Sequence, residues 1–121
     1  MDKEQAIYNF WSGFGLTAYD ETIVPDSAQM PYITYSVATG SLDEVISMTA
    51  SLWYRSASWA AITKLKNQIA EYIGVGGKVI PIEGGYMWIV RGAPFAQRMS
   101  DEDGQVRRIY LQVQAEFLTA N

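Results

Sequence analysis

The hydrophobic pattern of this chain predicts an α+β domain. Two stretches repeat apolar residues every three or four positions, others alternate them strictly, and glycine or proline separates the segments. A chain of 121 residues makes one domain, expected over 1–121, and buries roughly two thirds of its unfolded surface without covalent staples. Two main helices are expected, with a long loop between the last two strands.

The first helix starts at Asp2, which forms a capping pair with Gln5. It carries Ala6, Ile7, Phe10, Trp11 and Phe14 on one face, and Gly13 and Gly15 stop it. Such a face docks on a sheet. From Leu16 to Met30 the pattern is weak. A short strand is expected around Ala18 to Thr22, and Pro25-Asp26 after it assigns an edge position. Pro31 to Thr39 alternates, sending Ile33, Tyr35 and Val37 to one face before Gly40. Ile46, Met48, Ala50, Leu52 and Tyr54 alternate against Ser47, Thr49, Ser51 and Trp53, so these two strands should pair as a hairpin across Gly40 to Asp43.

Arg55-Ser56-Ala57-Ser58 supplies N-caps for a second helix. Trp59, Ile62, Leu65, Ile69 and Ile73 form its apolar stripe, Lys64, Lys66, Asn67, Gln68 and Glu71 lie elsewhere, and Gly74, Gly76 and Gly77 end it. Val79 to Ile82 and Tyr86 to Arg91 are short strands around Glu83-Gly84-Gly85. Pro81 cannot donate to a ladder and pushes its strand to an edge. The last strand is the longest: Ile109, Leu111, Val113, Ala115 and Phe117 face inward, and Arg108, Tyr110, Gln112, Gln114 and Glu116 face out. Its length predicts that it crosses much of the sheet.

Composition narrows the function. The chain has no cysteine and no histidine, which removes disulfides, thiolate chemistry, cysteine-based metal sites and the commonest general base and metal ligand. An enzyme would have to work with carboxylates, lysine or tyrosine; Glu83 or Glu116 with Tyr86 or Tyr110 is the available set, and its spacing does not converge. The formal charge of -4, from 13 acidic and 9 basic residues along the chain, repels phosphate backbones, so no direct nucleic-acid partner is expected. Met1 to Gln5 lacks a basic region followed by an apolar run, and no apolar stretch approaches the ~18 residues of a membrane span. A soluble intracellular product with no membrane partner is expected.

The segment Gly92 to Gly104 is too wide for a tight hairpin, and loops of that length in a compact domain are functional or disordered. It reads as a contact arm of a protein that belongs to an assembly. Asp101, Glu102 and Asp103 with Gly104 lack the spaced oxygen ligands and distal bidentate glutamate of a calcium loop, so a solvated turn that meets a basic partner is the preferred reading, and no metal or cofactor is assigned. Gly74-Val75-Gly76-Gly77 follows a helix instead of opening one, which makes it a helix stop and not a phosphate cradle. Arg107-Arg108 either pairs locally with the acidic trio or makes an intersubunit contact. Trp11 and Trp59 are core residues. Trp53 projects opposite to the apolar face of its strand, so either a second layer covers it or it meets a partner, and Phe95 in the polar segment poses the same choice.

The chain also resembles a known family. Pro31-Tyr32-Ile33-Thr34-Tyr35, Tyr54-Arg55-Ser56-Ala57-Ser58-Trp59, Gly84-Gly85-Tyr86-Met87-Trp88-Ile89, Pro94-Phe95-Ala96-Gln97-Arg98-Met99-Ser100-Asp101-Glu102-Asp103 and Arg108-Ile109-Tyr110-Leu111 follow one another as in the small tail terminator proteins of long-tailed bacteriophages and prophages. These are also called tail completion or tail-to-head joining proteins. The resemblance covers most of the chain in order and in length, strongest from about Tyr32 onward, and its motifs are structural.

It implies a mixed, mostly antiparallel sheet flanked by the helices. It also implies a ring, commonly of six copies, at the head-proximal end of the virion tail, assembled in the host cytoplasm. The ring would cap the tube made by the major tail tube protein and present a surface to a head-completion or neck protein. The alternative within the same assembly is another connector component or a tube subunit. None of the motifs that carry the resemblance assigns interface residues to this chain. Phe95, Arg98, Asp101, Glu102, Asp103, Arg107 and Arg108 are candidates on loop length and chemistry, and Trp53 on the face of its strand.

Overall fold

The structure is a computed structural model that describes residues 2–36 and 45–119. Its core is organised by β6 (Val106–Thr119), flanked on one side by β3 (Ile46–Arg55) and on the other by β5 (Gly85–Met99). β2 (Tyr32–Tyr35) continues the sheet beyond β3, β1 (Thr17–Asp20) forms one edge, and β4 (Lys78–Ile82) pairs with β5 at the other, giving the order β1-β2-β3-β6-β5-β4. β1 runs parallel to β2 and every other pair is antiparallel, so the sheet is mixed and mostly antiparallel.

Both helices, α1 (Lys3–Ser12) and α2 (Ala60–Ile73), cover the same face. Alternation decides which residues meet them: Leu52, Ala50, Met48 and Ile46 stand beside Ile109, Leu111, Val113 and Ala115, and Phe117 stands beside Met87. All of these are buried, together with Ala6, Ile7, Phe10 and Trp11 of α1 and Ile62, Leu65, Ile69 and Ile73 of α2. Phe10 of α1, and Phe14 just beyond its end, meet Tyr72 of α2 at ring separations of 6.1 and 5.5 Å. Among the described residues no element packs on the opposite face, where Tyr86, Trp88, Gln114 and Leu118 are exposed.

Local chemistry sets the boundaries. The Asp2 side chain accepts from the Gln5 N–H at 2.7 Å, capping α1 as its sequence predicts. At α2 the cap is displaced: Trp59 occupies the N-cap position without a side-chain bond, while the Ser58 hydroxyl accepts from the Ala60 N–H at 3.0 Å. Gly74 ends α2 at φ 77°, and Gly77 turns into β4 at φ 90°. The first strand is found at Thr17–Asp20, on an edge as expected, and Pro81 lies in the opposite edge strand. β2 and β3 do pair antiparallel; Val37 and the connection across Gly40 to Asp43 lie outside the described residues.

One expectation fails. Gly92 to Gly104 is not a long loop, because β5 continues to Met99 and only residues 100–105 lie outside strands. The alternation was hidden by a bulge: Arg91 stands opposite Val113 and Ala96 opposite Leu111, so five residue steps on β5 match two on β6. Gly92 permits it, since a Cβ there would lie 2.8 Å from the Gln112 carbonyl oxygen. The Gln112 amide reaches the Pro94 carbonyl at 3.3 Å across the bulge.

Leu111 lies at the centre of this core. Leu111→Ala should destabilise the fold by about 2–5 kcal/mol, whereas Gln114→Ala on the exposed face should stay within about 0.5 kcal/mol, both read from urea unfolding.

Candidate interaction surfaces

The continuation of β5 divides the candidate residues between the two faces of the sheet. Arg107 and Arg108 are consecutive in a strand and so project to opposite sides. On the helix side, Arg107 stands opposite Tyr54 and reaches the start of α2, where its guanidinium donates to the Ala57 carbonyl at 2.8 Å and to Gly104 at 3.0 Å. It also lies 5.3 Å from the Trp59 ring, and Arg98 lies 4.6 Å from the same ring. Trp59, packed against the core, is thus a shared seat for two cations. Arg107 Nε is buried without a hydrogen-bond partner, so this arginine serves the fold more than a surface. Arg98 is exposed.

On the open face, Tyr32, Trp53 and Arg108 stand in one cross-strand row. Trp53 donates its indole N–H to Thr34 Oγ1 at 2.9 Å, the Arg108 guanidinium lies 4.7 Å from the Trp53 ring, and its Nε donates to Ser51 Oγ at 3.0 Å. Tyr32 approaches Trp53 at 6.3 Å and Tyr19 approaches Tyr32 at 5.6 Å. These groups bury Thr34 and Ser51 beneath them. Half-buried Trp53 therefore has an arginine from its own chain over it. Farther along this face, Val45, Trp88 and Val90 line a shallow apolar hollow of about 140 Å³.

The acidic turn turns inward on itself. Asp101 accepts from the Asp103 N–H at 2.9 Å, and Asp103 accepts from the Gln105 N–H at 2.8 Å and pairs with Arg55 at 3.1 Å. The sequence offered Arg107-Arg108 as local partners of this trio, but Arg55 takes that place. Glu102 is exposed. Among the described residues no group of three or more histidine, cysteine, aspartate or glutamate side chains is gathered in a metal-holding arrangement. Phe95 is half-buried and packs against the hydrophobic core of its own domain.

In the carboxylate and tyrosine set weighed as catalytic, Tyr110 stands opposite Ser51 and Gln97, far along β6 from Glu116, whereas Tyr86, opposite Leu118, shares the open face with Glu116 one diagonal step away. The hydroxyls held above their ordinary pKa are those of Tyr35 and Tyr54, and burial is the main cause in both.

The order of charges along the chain adds a larger pattern. Residues 1–54 hold seven acids and one base, Lys3, for a net charge of -6, while residues 55–121 hold six acids and eight bases, for a net charge of +2. The strand order keeps these halves apart, with β1, β2 and nearly all of β3 on one side and β6, β5 and β4 on the other. Among the described strands, Asp20 is the charged residue of β1 and β2, while Lys78, Arg91, Arg98, Arg107 and Arg108 outnumber Glu116 on β4, β5 and β6, so the sheet is polarised from edge to edge. The run of fifty residues from Gln5 to Tyr54 without a lysine or arginine was its visible signal.

These features define a two-layer α+β protein with one covered sheet face, one open face and oppositely charged halves. Comparison with protein-family models finds no match, and comparison with curated proteins finds none. Among solved structures the chain is similar to one described as the virion of native gene transfer agent (GTA) particle, with a TM-score of 0.55 and 17% sequence identity, covering 89% of this chain and 83% of that one. The likeness is one of fold.

The Gln105 N–H and then the Arg55 guanidinium lower the pKa of Asp103. A carboxylate with a depressed folded pKa stabilises above its ordinary pKa and loses that contribution as pH falls through the lowered one. An NMR titration should show Asp103 titrating below its ordinary value, and Arg55→Ala should raise it only part of the way, because the Gln105 N–H remains. Full return to the ordinary value would contradict the turn geometry.

Proposed function

We propose that this chain is a structural protein of a phage or prophage virion. It forms a ring, of six copies as the family resemblance implies, that caps the tail tube, ends tube polymerisation and offers its free surface to a head-completion or neck protein. The observation that carries the reading is the fold shared with a chain of a virion particle over 89% of this chain, joined to the ordered motifs that resemble tail terminators. Fold alone does not give function, so the surfaces supply the rest of the argument. A ring needs two different patches on each subunit, and the polarised sheet provides them. A tube needs a surface to be capped, and the open face offers Trp53, Arg108, Tyr86 and Trp88, aromatic and arginine side chains of the kind enriched in interface cores.

The partners in this reading are further copies of the chain, the major tail tube protein and a head-completion or neck protein, with no cofactor and no catalytic step. The exposed candidates Arg98, Asp101, Glu102, Asp103 and half-buried Trp53 and Arg108 belong to its contact surface, and Phe95 and Arg107 support them from within.

Electron microscopy of tagged protein mixed with unterminated tail tubes from the parent phage or prophage tests the proposal. Density confined to one end of tubes that no longer grow is the expected result. Decoration along the length would make the chain a tube subunit, and binding to filled capsids alone would place it in the neck. Arg98→Ala leaves Trp59 its second cation and should keep the fold while weakening end-capping about tenfold or more, a loss of at least about 1.4 kcal/mol. Unchanged capping would remove Arg98 from the contact.

A further inference from the structure

The two sides of the sheet end in backbone that no described strand pairs. β1 is an edge strand of four residues, Thr17–Asp20. At the other side, β4 covers β5 only from Gly85 to Ile89, and beyond the bulge the regular segment Ala96–Met99 pairs with β6 alone. A groove of about 210 Å³ runs beside that segment, lined by Thr63 and Lys66 of α2 and by Ala96, Gln97 and Arg98. Unpaired strand edges recruit further strands unless they are blocked. Pro81 lies in β4, but neither Thr17–Asp20 nor Ala96–Met99 contains a proline.

We infer that Ala96–Met99 accepts β1 of a second copy of this chain, so that one sheet continues from subunit to subunit around a ring. Three observations select that occupant. The charges complement each other: Asp20 and Glu21 flank the β1 edge within the cation-free run, whereas Arg98 and Lys66 lie along the other. The lengths match, four residues against four. The directions are compatible, because β1 parallels β2 and each step through β3, β6 and β5 reverses, leaving β5 opposite in sense to β1. A cyclic ring whose axis lies along the strands preserves direction between copies, so the joined strands meet antiparallel.

Full overlap fixes the register. Gln97 stands opposite the partner's Tyr19 on the open face, and Arg98 stands opposite the partner's Ala18 on the helix face. That leaves Arg98 in diagonal reach of the partner's Asp20, which shares the helix face because it stands beside Tyr35. The contact is heterologous and closes only as a ring.

This inference rests on the ring in the proposed function, and its test uses the full chain alone at high concentration, without tubes. The chain has no cysteine, so Tyr19→Cys with Gln97→Cys introduces one reporter pair. Oxidation should give a ladder of crosslinked species beyond the dimer at least tenfold faster than the control pair Gln97→Cys with Gln114→Cys. Equal rates would overturn the inference. Asp20→Lys and Arg98→Glu should each abolish the fast ladder in the reporter background, and the doubly reversed chain should restore it; circular dichroism of each variant checks that it folds. Failure of the double reversal in a folded chain would overturn the Arg98–Asp20 pairing. Tube capping without the fast ladder overturns this contact and leaves the proposed function standing, whereas a ladder without capping does the reverse.

Discussion

Everything in this fold depends on β6 being paired over most of its length on both sides. Ten positions of β3 and eleven of β5 are in register with it, and its inward row from Ile109 to Phe117 lies at the centre of the buried face, with α2 against β3, β5 and β6 and α1 against β1 and β2. A central strand buried on one face must alternate without error, because a slip of one residue would put Tyr110, Gln112 and Gln114 under the helices. The bulge in β5 belongs to this constraint: it absorbs surplus residues in the neighbour so that β6 keeps its register. The same bulge carries β5 past the end of β4, which gives the sheet its unpaired segment.

Most of the architecture was legible in the sequence because most elements obey one period. Ile109 to Phe117 and Ile46 to Tyr54 alternate over long stretches, and Trp59 to Ile73 repeats at helical spacing, so their buried faces could be named residue by residue. The segment after Arg91 defeated that reading, since Gly92-Ala93-Pro94-Phe95 interrupts the alternation with two residues associated with loops. Only the close approach of Gly92 to the Gln112 carbonyl shows that the glycine serves a strand.

The candidate surfaces were legible only in part. The face that Trp53 occupies is legible in the alternation of its strand, whereas its stacking with Arg108 is not, since a register across two strands is written in neither. The placement of Phe95 against the core depends on the bulge and was hidden with it. Charge partition was different in kind: it was present in the order of residues, but its meaning required the strand order, which keeps the two halves of the chain on separate sides of the sheet.

The long ladders of β3, β6 and β5 have a mechanical consequence. Their hydrogen bonds lie perpendicular to the strands, so tension along the strand direction loads many of them together in shear, whereas tension across the sheet opens them one after another. The molecule is stiff along one axis and compliant along another. A subunit held with its strands along the line of pull would bear force as a plate, and one turned a quarter way round would unzip from its four-residue β1 edge.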